Sequence, residues 1–157
     1  MNIEDFVAYY SKLKELTELH RKLKFGDNPQ IAEVFSEQLT RSLFGYSKWG
    51  NKKFDAKTVD GFAVEIKATG TDKGKTTINI KSFKKHAEEF SHLIWLYIDF
   101  DENQLSFKKI SLEALIEWAS TKKETDNGRV SIALHQLTAF EKTCFQINEK
   151  SKTIVKI

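Results

Sequence analysis

Residues 53–69, KFDAKTVDGFAVEIKAT, contain two short strand-like runs on either side of Asp60-Gly61. An Asp-Gly pair between runs of this kind is a strong signal for a β-hairpin. On the second run, Glu65 and Lys67 are two positions apart, so their side chains share one face of a strand. The apolar residues between and beside them take the other face. The stretch therefore predicts a hairpin with a polar face and a buried face.

The place of Asp55 depends on the length of the hairpin loop. A two-residue loop would pair Ala56 with Glu65 and turn Asp55 to the opposite face. A three-residue loop that begins at Val59, with Gly61 in the left-handed conformation, instead pairs Asp55 with Glu65. Directly opposed residues have their Cβ atoms about 5 Å apart. We expect the three-residue loop, which brings the two carboxylates together.

Two neighbouring carboxylates in a partly dry site repel each other, and a cation relieves that repulsion. Mg²⁺ takes oxygen ligands and is commonly held by one or two carboxylates together with phosphate oxygens. Lys67, on the same face as Glu65, can orient or deprotonate an attacking water and neutralise charge that develops on phosphorus. These three residues therefore indicate a site for phosphodiester hydrolysis. The alternative is an ordinary solvated face with a cross-strand ion pair.

Asp55 followed by Glu65-Ile66-Lys67 resembles the D…(D/E)XK motif of the PD-(D/E)XK nuclease superfamily. Phe54 stands where the name of that superfamily has proline. The order of elements around the motif, a helix, a hairpin, a helix and a long apolar strand, is similar to the common core of the superfamily. The resemblance implies an α/β chain with the restriction endonuclease-like fold, in which a central mixed β-sheet is flanked by α-helices.

What the resemblance implies for function is a Mg²⁺-dependent endodeoxyribonuclease that hydrolyses double-stranded DNA, of the type II restriction class. Asp55 and Glu65 would bind the metal together with the backbone carbonyl of Ile66, and Lys67 would position or activate the water. Such enzymes commonly act as homodimers, since two-fold protein symmetry matches palindromic DNA.

Many members of that superfamily add a glutamate from the helix before the hairpin. Glu33 is our choice for this role, and Glu37, one turn later, is the alternative. Either residue could instead be a surface acid that pairs with Arg41 or Lys48.

Three other functions fit the same residues. The first is a structure-selective repair nuclease or junction resolvase of the same fold. The second is a non-catalytic nucleic-acid-binding module in which lysines hold the nucleic acid. The third is an unrelated α/β interaction protein, and it predicts that Asp55 and Glu65 do not approach each other.

Nucleic-acid contacts are expected from the lysine-rich loop after the second strand and from a polar stretch further along. A loop in this position is well placed to reach a DNA backbone or groove. Arg129 could dock on a guanine edge or cap local structure. The DNA-binding candidates are Lys73, Lys75, Thr76, Thr77 and Arg129.

The composition fits one compact domain over residues 1–157, with 40% hydrophobic and 12% aromatic residues. The net charge of +3 is mild. Cys144 is the single cysteine, which excludes an internal disulfide and fits a reducing compartment. The chain shows neither a signal-peptide pattern nor a run of eighteen apolar residues. We therefore expect a cytoplasmic protein without a membrane partner.

Apolar periodicity and capping signals predict the order of the elements. We divide the domain into an N-terminal helix (1–25), a catalytic core (29–100) and a C-terminal part (101–157) with hairpins and a helix for DNA recognition or dimerisation. The predicted elements are a helix over 3–23 ended by Gly26, a helix from Asn28-Pro29 to Gly45, a strand over 46–49 with a Gly50-Asn51 turn, a helix over 82–90, strands over 92–100 and 104–110, a helix capped by Ser111, and a closing hairpin over 144–157.

Overall fold

The structure is a computed structural model that describes residues 2–25, 31–50, 53–71, 73–123, 125 and 127–157. Helices and strands together form a mixed α/β architecture. The helices are α1 (Ile3–Leu23), α2 (Glu33–Phe44), α3 (Ile80–Lys85) and α4 (Leu112–Ser120). The strands are β1 (Ser47–Lys48), β2 (Ala56–Lys57), β3 (Ala63–Thr69), β4 (Lys75–Asn79), β5 (Phe90–Asp99), β6 (Gln104–Ser111), β7 (Arg129–Ala133), β8 (Glu141–Asn148) and β9 (Thr153–Lys156).

Helix α1 has the bounds that its apolar periodicity predicts. Its first turn is closed by a capping box, in which the Asn2 side chain accepts the Asp5 N–H at 2.9 Å and the Asp5 carboxylate accepts the Asn2 N–H at 3.1 Å. Lys24 ends the helix in the left-handed conformation, with φ of 58°. Gly26, which we expected in this role, lies outside the described residues.

Helix α2 ends where the sequence predicts, at Gly45, whose φ of 68° closes the last turn. The predicted start at Pro29 is wrong, because Ala32 has an extended backbone and the helix begins at Glu33, where no side chain caps its first turn. The predicted cap at Asn28-Pro29 lies outside the described residues, as does Asn51 in the predicted turn after β1. Glu33 and Glu37 thus occupy the first two turns of the helix.

The main sheet has the strand order β1-β2-β3-β5-β6-β8-β9. Strands β3 and β5 are parallel, and every other neighbouring pair in this sheet is antiparallel. The sheet is therefore mixed, as expected, and it runs without interruption from the hairpin to the closing strands. Among the described helices, none combines the length and the apolar character needed to cross a membrane.

Apolar side chains cover both faces of this sheet. Alternate residues of β5 divide between the two cores, because successive side chains of a strand point to opposite faces. Ile94 and Leu96 pack with α1 and α2, whereas Leu93 and Trp95 pack with α3, α4 and the residues of β4 and β7. The long apolar strand predicted over 92–100 is confirmed as β5, which begins at Phe90.

A second, two-stranded sheet of β4 and β7 was not expected. Strand β4 follows the loop after β3, and it pairs antiparallel with β7, about 50 residues away in the chain, from Lys75 opposite Ala133 to Asn79 opposite Arg129. We call these two strands the ribbon. With helix α3, strand β4 forms the connection between the parallel strands β3 and β5.

The predicted helix over 82–90 is wrong in its bounds. Asn79 caps α3 by accepting the Ser82 N–H at 3.0 Å, so the helix begins at Ile80. It ends at Lys85, and Phe90 belongs to β5, where its ring stacks on Phe83 with centroids 4.4 Å apart. The later helices and strands follow the sequence, including the Ser111 cap, whose Oγ accepts the Ala114 N–H at 3.2 Å.

Candidate active site

The hairpin has the register of a three-residue loop. The Thr58 N–H donates to the Phe62 carbonyl at 2.8 Å, and the Gly61 N–H donates to the Thr58 carbonyl at 3.0 Å. Gly61 has a φ of 92°, which glycine adopts without strain. Ala56 then pairs with Val64, so the next position in the same register sets Asp55 opposite Glu65. The predicted register is confirmed, and the two-residue alternative is wrong.

Asp55 lies directly before β2 and bonds to β3 through both its backbone and its side chain. Its N–H donates to the Val64 carbonyl at 3.1 Å, and its Oδ2 accepts the Ile66 N–H at 2.7 Å. The carboxylate therefore takes the place of a strand partner for Ile66. This contact fixes one oxygen of Asp55 against β3.

Glu65 and Lys67 form an ion pair on the face that the sequence assigns to them. Lys67 Nζ lies 2.7 Å from Glu65 Oε1, and the two side chains are only 23% and 16% exposed. Burial alone would lower the pKa of Lys67, but the Glu65 carboxylate, with further carboxylates nearby, outweighs it and raises that pKa. Lys67 is therefore a cation at neutral pH.

Three carboxylates converge where α2 faces the start of β3. Glu33, Glu37 and Asp55 each offer an oxygen, and these oxygens lie within 4.8 Å of one another. Glu33 is exposed, whereas the other two are partly buried. The structure thus brings both candidate glutamates of α2 to Asp55, and Glu65 pairs with Lys67 beside them. We call these five residues the acidic cleft.

Burial, followed by the charge of Glu65, raises the pKa of Asp55 to about 6. The Ile66 N–H and Lys67 act in the opposite direction but do not cancel the shift. Burial, followed by the charge of Asp55, also raises the pKa of Glu37. The repulsion expected between carboxylates in a partly dry site is therefore present, and a cation would relieve it.

Arg41 also contributes to the geometry of the site. The sequence analysis named it only as a residue with which Glu37 could pair. Its Nη1 donates to Glu37 Oε2 at 3.2 Å and to the Asp55 carbonyl at 2.9 Å. The guanidinium therefore ties α2 to the residue that starts the motif. The i,i+4 spacing of Glu37 and Arg41 predicted the ion pair but could not predict the second contact.

Two hollows meet at Glu33. One, of about 460 Å³, is lined by Asp55 and by residues that include Lys48, Trp49 and Phe54. The other, of about 260 Å³, is lined by Lys67, Ile66 and Thr76, among others. Glu33 therefore lies between the hollow lined by Asp55 and the hollow lined by Lys67.

Trp49 and Phe54 line the first hollow, and neither residue was given a role in the site by the sequence analysis. Their rings meet edge to face with centroids 5.7 Å apart. The indole Nε1 of Trp49 is buried and, in the described part of the chain, has no hydrogen-bond partner. Phe54 occupies the position that the superfamily name gives to proline, and here it is a core residue, 5% exposed.

The candidate DNA-binding residues lie on and before the ribbon. Lys75 and Thr77 alternate with Thr76 along β4, so they share the outward face with Arg129 of β7, which is exposed. Thr76 faces inward and lines the hollow that holds Lys67. Lys73 is exposed in the loop before β4. The candidates thus divide into an outward set and one residue that faces the acidic cleft.

An α/β fold with carboxylates and a lysine gathered at one end of a hairpin fits a protein of the nuclease class. A family model described as Bsp6I restriction endonuclease matches residues 1–129. The match covers all five residues of the acidic cleft, and the chain belongs to this family of restriction endonucleases. No curated protein matches the chain.

Proposed function

We propose that this protein is a type II restriction endonuclease that hydrolyses phosphodiester bonds of double-stranded DNA with Mg²⁺. The observation that carries the proposal is the convergence of Glu33, Glu37 and Asp55 within 4.8 Å, next to the Lys67–Glu65 pair, in a chain of a restriction endonuclease family. The restriction endonuclease-like fold of the PD-(D/E)XK superfamily is part of this proposal. The mixed sheet with helices on both faces supports it.

The donor set fits a hard divalent cation. Carboxylate oxygens are the ligands that Mg²⁺ prefers, and oxygens within 4.8 Å of one another can share one ion. Asp55 would hold the ion with Glu33 or Glu37, and Glu65 and the Ile66 carbonyl are further proposed ligands. When bound, Mg²⁺ supplies positive charge to the phosphate group under attack.

The remaining chemistry belongs to the protein. Lys67, which its raised pKa keeps protonated, donates to a non-bridging phosphate oxygen and stabilises the charge that builds up there. The raised pKa favours this role, together with orientation of the attacking water, over removal of a proton from that water. Water attacks phosphorus in line with the leaving oxygen and gives up a proton to the solvent, while the P–O bond to the leaving oxygen breaks and that oxygen takes up a proton from the solvent.

The residues on and before the ribbon would hold the DNA. Lys75 and Arg129, on the outward face of the ribbon, would contact the phosphate backbone or base edges. Thr77 lies on the same face, whereas Lys73 precedes it. Thr76, which faces the acidic cleft, would contact the phosphate next to the one that is cut. A homodimer would present one such surface to each strand.

The test is digestion of supercoiled plasmid and phage DNA with and without Mg²⁺, with Glu65→Ala and Lys67→Ala in parallel. Discrete fragments that need the metal and disappear in both variants are the expected result. Cleavage of branched DNA alone would move the function to a junction resolvase or repair nuclease of the same fold. Binding of DNA with no cleavage, on substrates that cover all short sequences, would contradict a nuclease.

A further inference from the structure

The ribbon has one apolar face and one polar face. Ile78, Val130 and Ile132 point inward and are at most 2% exposed, so they hold the ribbon on the core. The side chains between them point outward, because successive residues of a strand alternate in direction. Thr77 and Ser131 occupy the middle of the outward face, where they pair directly across the two strands and are both exposed. The inner face therefore fixes the ribbon, and the outer face is open to a ligand.

A cation lies at each end of the outward face. Lys75 begins β4, and Arg129 begins β7 opposite Asn79, so the two cations lie at opposite ends of the ribbon. Asn79 comes four positions after Lys75, which corresponds to about 14 Å along a strand. Neither strand contains an acidic residue. Two cations at this separation, with neutral residues between them, are complementary to two rows of phosphates.

These dimensions favour one groove of one kind of duplex. The major groove of B-form DNA is about 12 Å wide and admits a two-stranded ribbon. The minor groove is about 6 Å wide, which is too narrow for two strands and their side chains. The major groove of an RNA duplex is deep and narrow, and side chains cannot read it. A ribbon in the major groove of DNA would place Lys75 and Arg129 at the phosphates on its two sides.

Between the two cations, Thr77 and Ser131 offer small polar groups to the base edges. A hydroxyl both donates and accepts, so it can bond to an acceptor or to a donor of a base. The methyl group of Thr77 can also contact the methyl group of a thymine. Directly opposed residues have Cβ atoms about 5 Å apart, and successive base pairs are about 3.4 Å apart. The two hydroxyls would therefore meet one base pair or two adjacent ones.

The outward face begins next to the acidic cleft. Thr76 lines the hollow that Lys67 also lines, and Thr77 follows it directly in β4. Because a strand rises about 3.4 Å per residue, the cleft and Thr77 can contact the same duplex. We propose that the ribbon enters the major groove of DNA and that Thr77 and Ser131 determine the sequence at which the protein binds. This inference rests on the proposed function and adds to it the residues that select the site.

The test is selection of bound duplexes from a randomised library, without metal, for the wild type, Thr77→Val, Ser131→Ala and Thr153→Val. Valine has the size of threonine and suits a strand, so Thr77→Val should keep the ribbon paired. Thr153 is the matched control, because it is an exposed threonine on β9. Sequencing of the bound duplexes should show that the wild type prefers the correct base pair roughly tenfold or more at each position of its site.

Each ribbon variant should reduce that preference to less than roughly threefold, at one base pair or at two adjacent ones. Thr153→Val should keep every preference of the wild type. A wild type without sequence preference, or preferences that stay unchanged in either ribbon variant, would overturn the proposal. The same loss of preference in Thr153→Val would also overturn it.

Base analogues test which groove is read. Inosine in place of guanine, and 2,6-diaminopurine in place of adenine, change the minor groove and leave the major-groove edge intact. At the base pair that loses its preference in the ribbon variants, these analogues should leave the affinity of the wild type within roughly threefold. A larger loss of affinity would overturn the placement in the major groove.

The outcomes separate this inference from the proposed function. A protein that selects DNA through Thr77 and Ser131 but cuts none would count against the proposed function alone. Cleavage at sites that neither ribbon variant changes would count against the role of the ribbon alone.

Discussion

Lys67 Nζ lies 2.7 Å from Glu65 Oε1, although the two residues are neighbours on one strand face and not partners across strands. Both side chains are mostly buried, so the pair is less screened by water than a surface ion pair. The pair holds Lys67 in its charged form and points it at the hollow shared with Glu33. Glu65 therefore sets both the charge and the direction of the lysine.

Replacing Lys67 by alanine should lower the rate of DNA cleavage at least about 100-fold, because it removes the cation that we propose stabilises charge on the phosphate. Lys57→Ala is the matched control, since Lys57 is an exposed lysine on β2 of the same hairpin. Single-turnover cleavage of a short duplex separates the chemical step from binding. Comparable rates for the two variants would contradict the role given to Lys67.

Replacing Asp55 by asparagine should stabilise the metal-free protein while it removes cleavage. The folded-state pKa of about 6 is above the ordinary value of 3.8, so the folded protein binds the proton more tightly than the unfolded chain does. Ionised Asp55 therefore lowers the free energy of unfolding, and above about pH 6 the full reduction is roughly 1–3 kcal/mol. The gain from Asp55→Asn should be full at pH 8 and should fall away as the pH drops from about 6 to about 4.

Urea unfolding at pH 8 and pH 4.5 measures this gain. Asp60→Asn, at the exposed tip of the hairpin, controls for the change of residue type. Equal stability of Asp55→Asn and wild type at pH 8 would show that burial and the charge of Glu65 do not destabilise ionised Asp55.

Glu33 and Glu37 should differ in what they contribute. Glu33 is exposed, so Glu33→Gln should weaken Mg²⁺ binding and change the free energy of unfolding by less than about 0.5 kcal/mol. Glu37→Gln also removes the ion pair with Arg41, which positions the Asp55 backbone, and should change both quantities. Calorimetric titration with Mg²⁺ and urea unfolding on both variants separate the two effects. Wild-type Mg²⁺ affinity in Glu33→Gln would remove Glu33 from the metal site.

The sequence predicted the hairpin and its register because the signals there are local. Asp60-Gly61 marks the turn, and the alternation around Glu65 fixes which side chains share a face. The preference for Glu33 or Glu37 could not be settled in this way. The side chains of α2 meet Asp55 only after the helix has packed on the sheet, and both glutamates then reach it.

The ribbon could not be predicted, since its two strands are far apart in the sequence and each is short. The stretch around Thr76 and Thr77 indicates small polar residues near a loop, but only pairing with β7 decides that Thr77 faces outward and Thr76 inward. The second contact of Arg41, to the Asp55 carbonyl, depends on the same kind of long-range packing. Such contacts are set by tertiary structure and leave no periodic signal.

His92 should make the protein less stable in mild acid. It is 2% exposed, and burial, with the charge of Lys109, lowers its pKa from 6.5 to about 4. The unfolded chain therefore binds the proton more tightly between these values, and stability falls as the pH drops from about 6.5 to about 4, by roughly 3 kcal/mol in total. The neutral ring is held between Ser91 Oγ at 2.8 Å and Tyr46 Oη at 3.3 Å.

His92→Gln should remove most of this dependence on pH, since glutamine does not titrate, although it lowers stability at pH 7 by disturbing the buried contacts. Urea unfolding across pH 4–7 gives the slope for both proteins. His135→Gln, on an exposed histidine, should leave the slope as in the wild type. An unchanged slope in His92→Gln would assign the acid sensitivity to other groups.

Lys75 and Arg129 should contribute to DNA affinity through phosphate contacts if the outward face of the ribbon meets the duplex. Each neutralised phosphate contributes about 0.9 to the slope of log affinity against log salt, so Lys75→Ala and Arg129→Ala should each reduce that slope by about that amount. Fluorescence anisotropy with a labelled duplex, without metal so that no cleavage occurs, measures the slope. Lys156→Ala, at an exposed lysine on β9, is the matched control.

If Arg129→Ala lowers affinity for one sequence and leaves binding to unrelated DNA unchanged, the arginine reads a base edge and not a phosphate. Slopes equal to that of Lys156→Ala in both variants would place the DNA on another face of the protein.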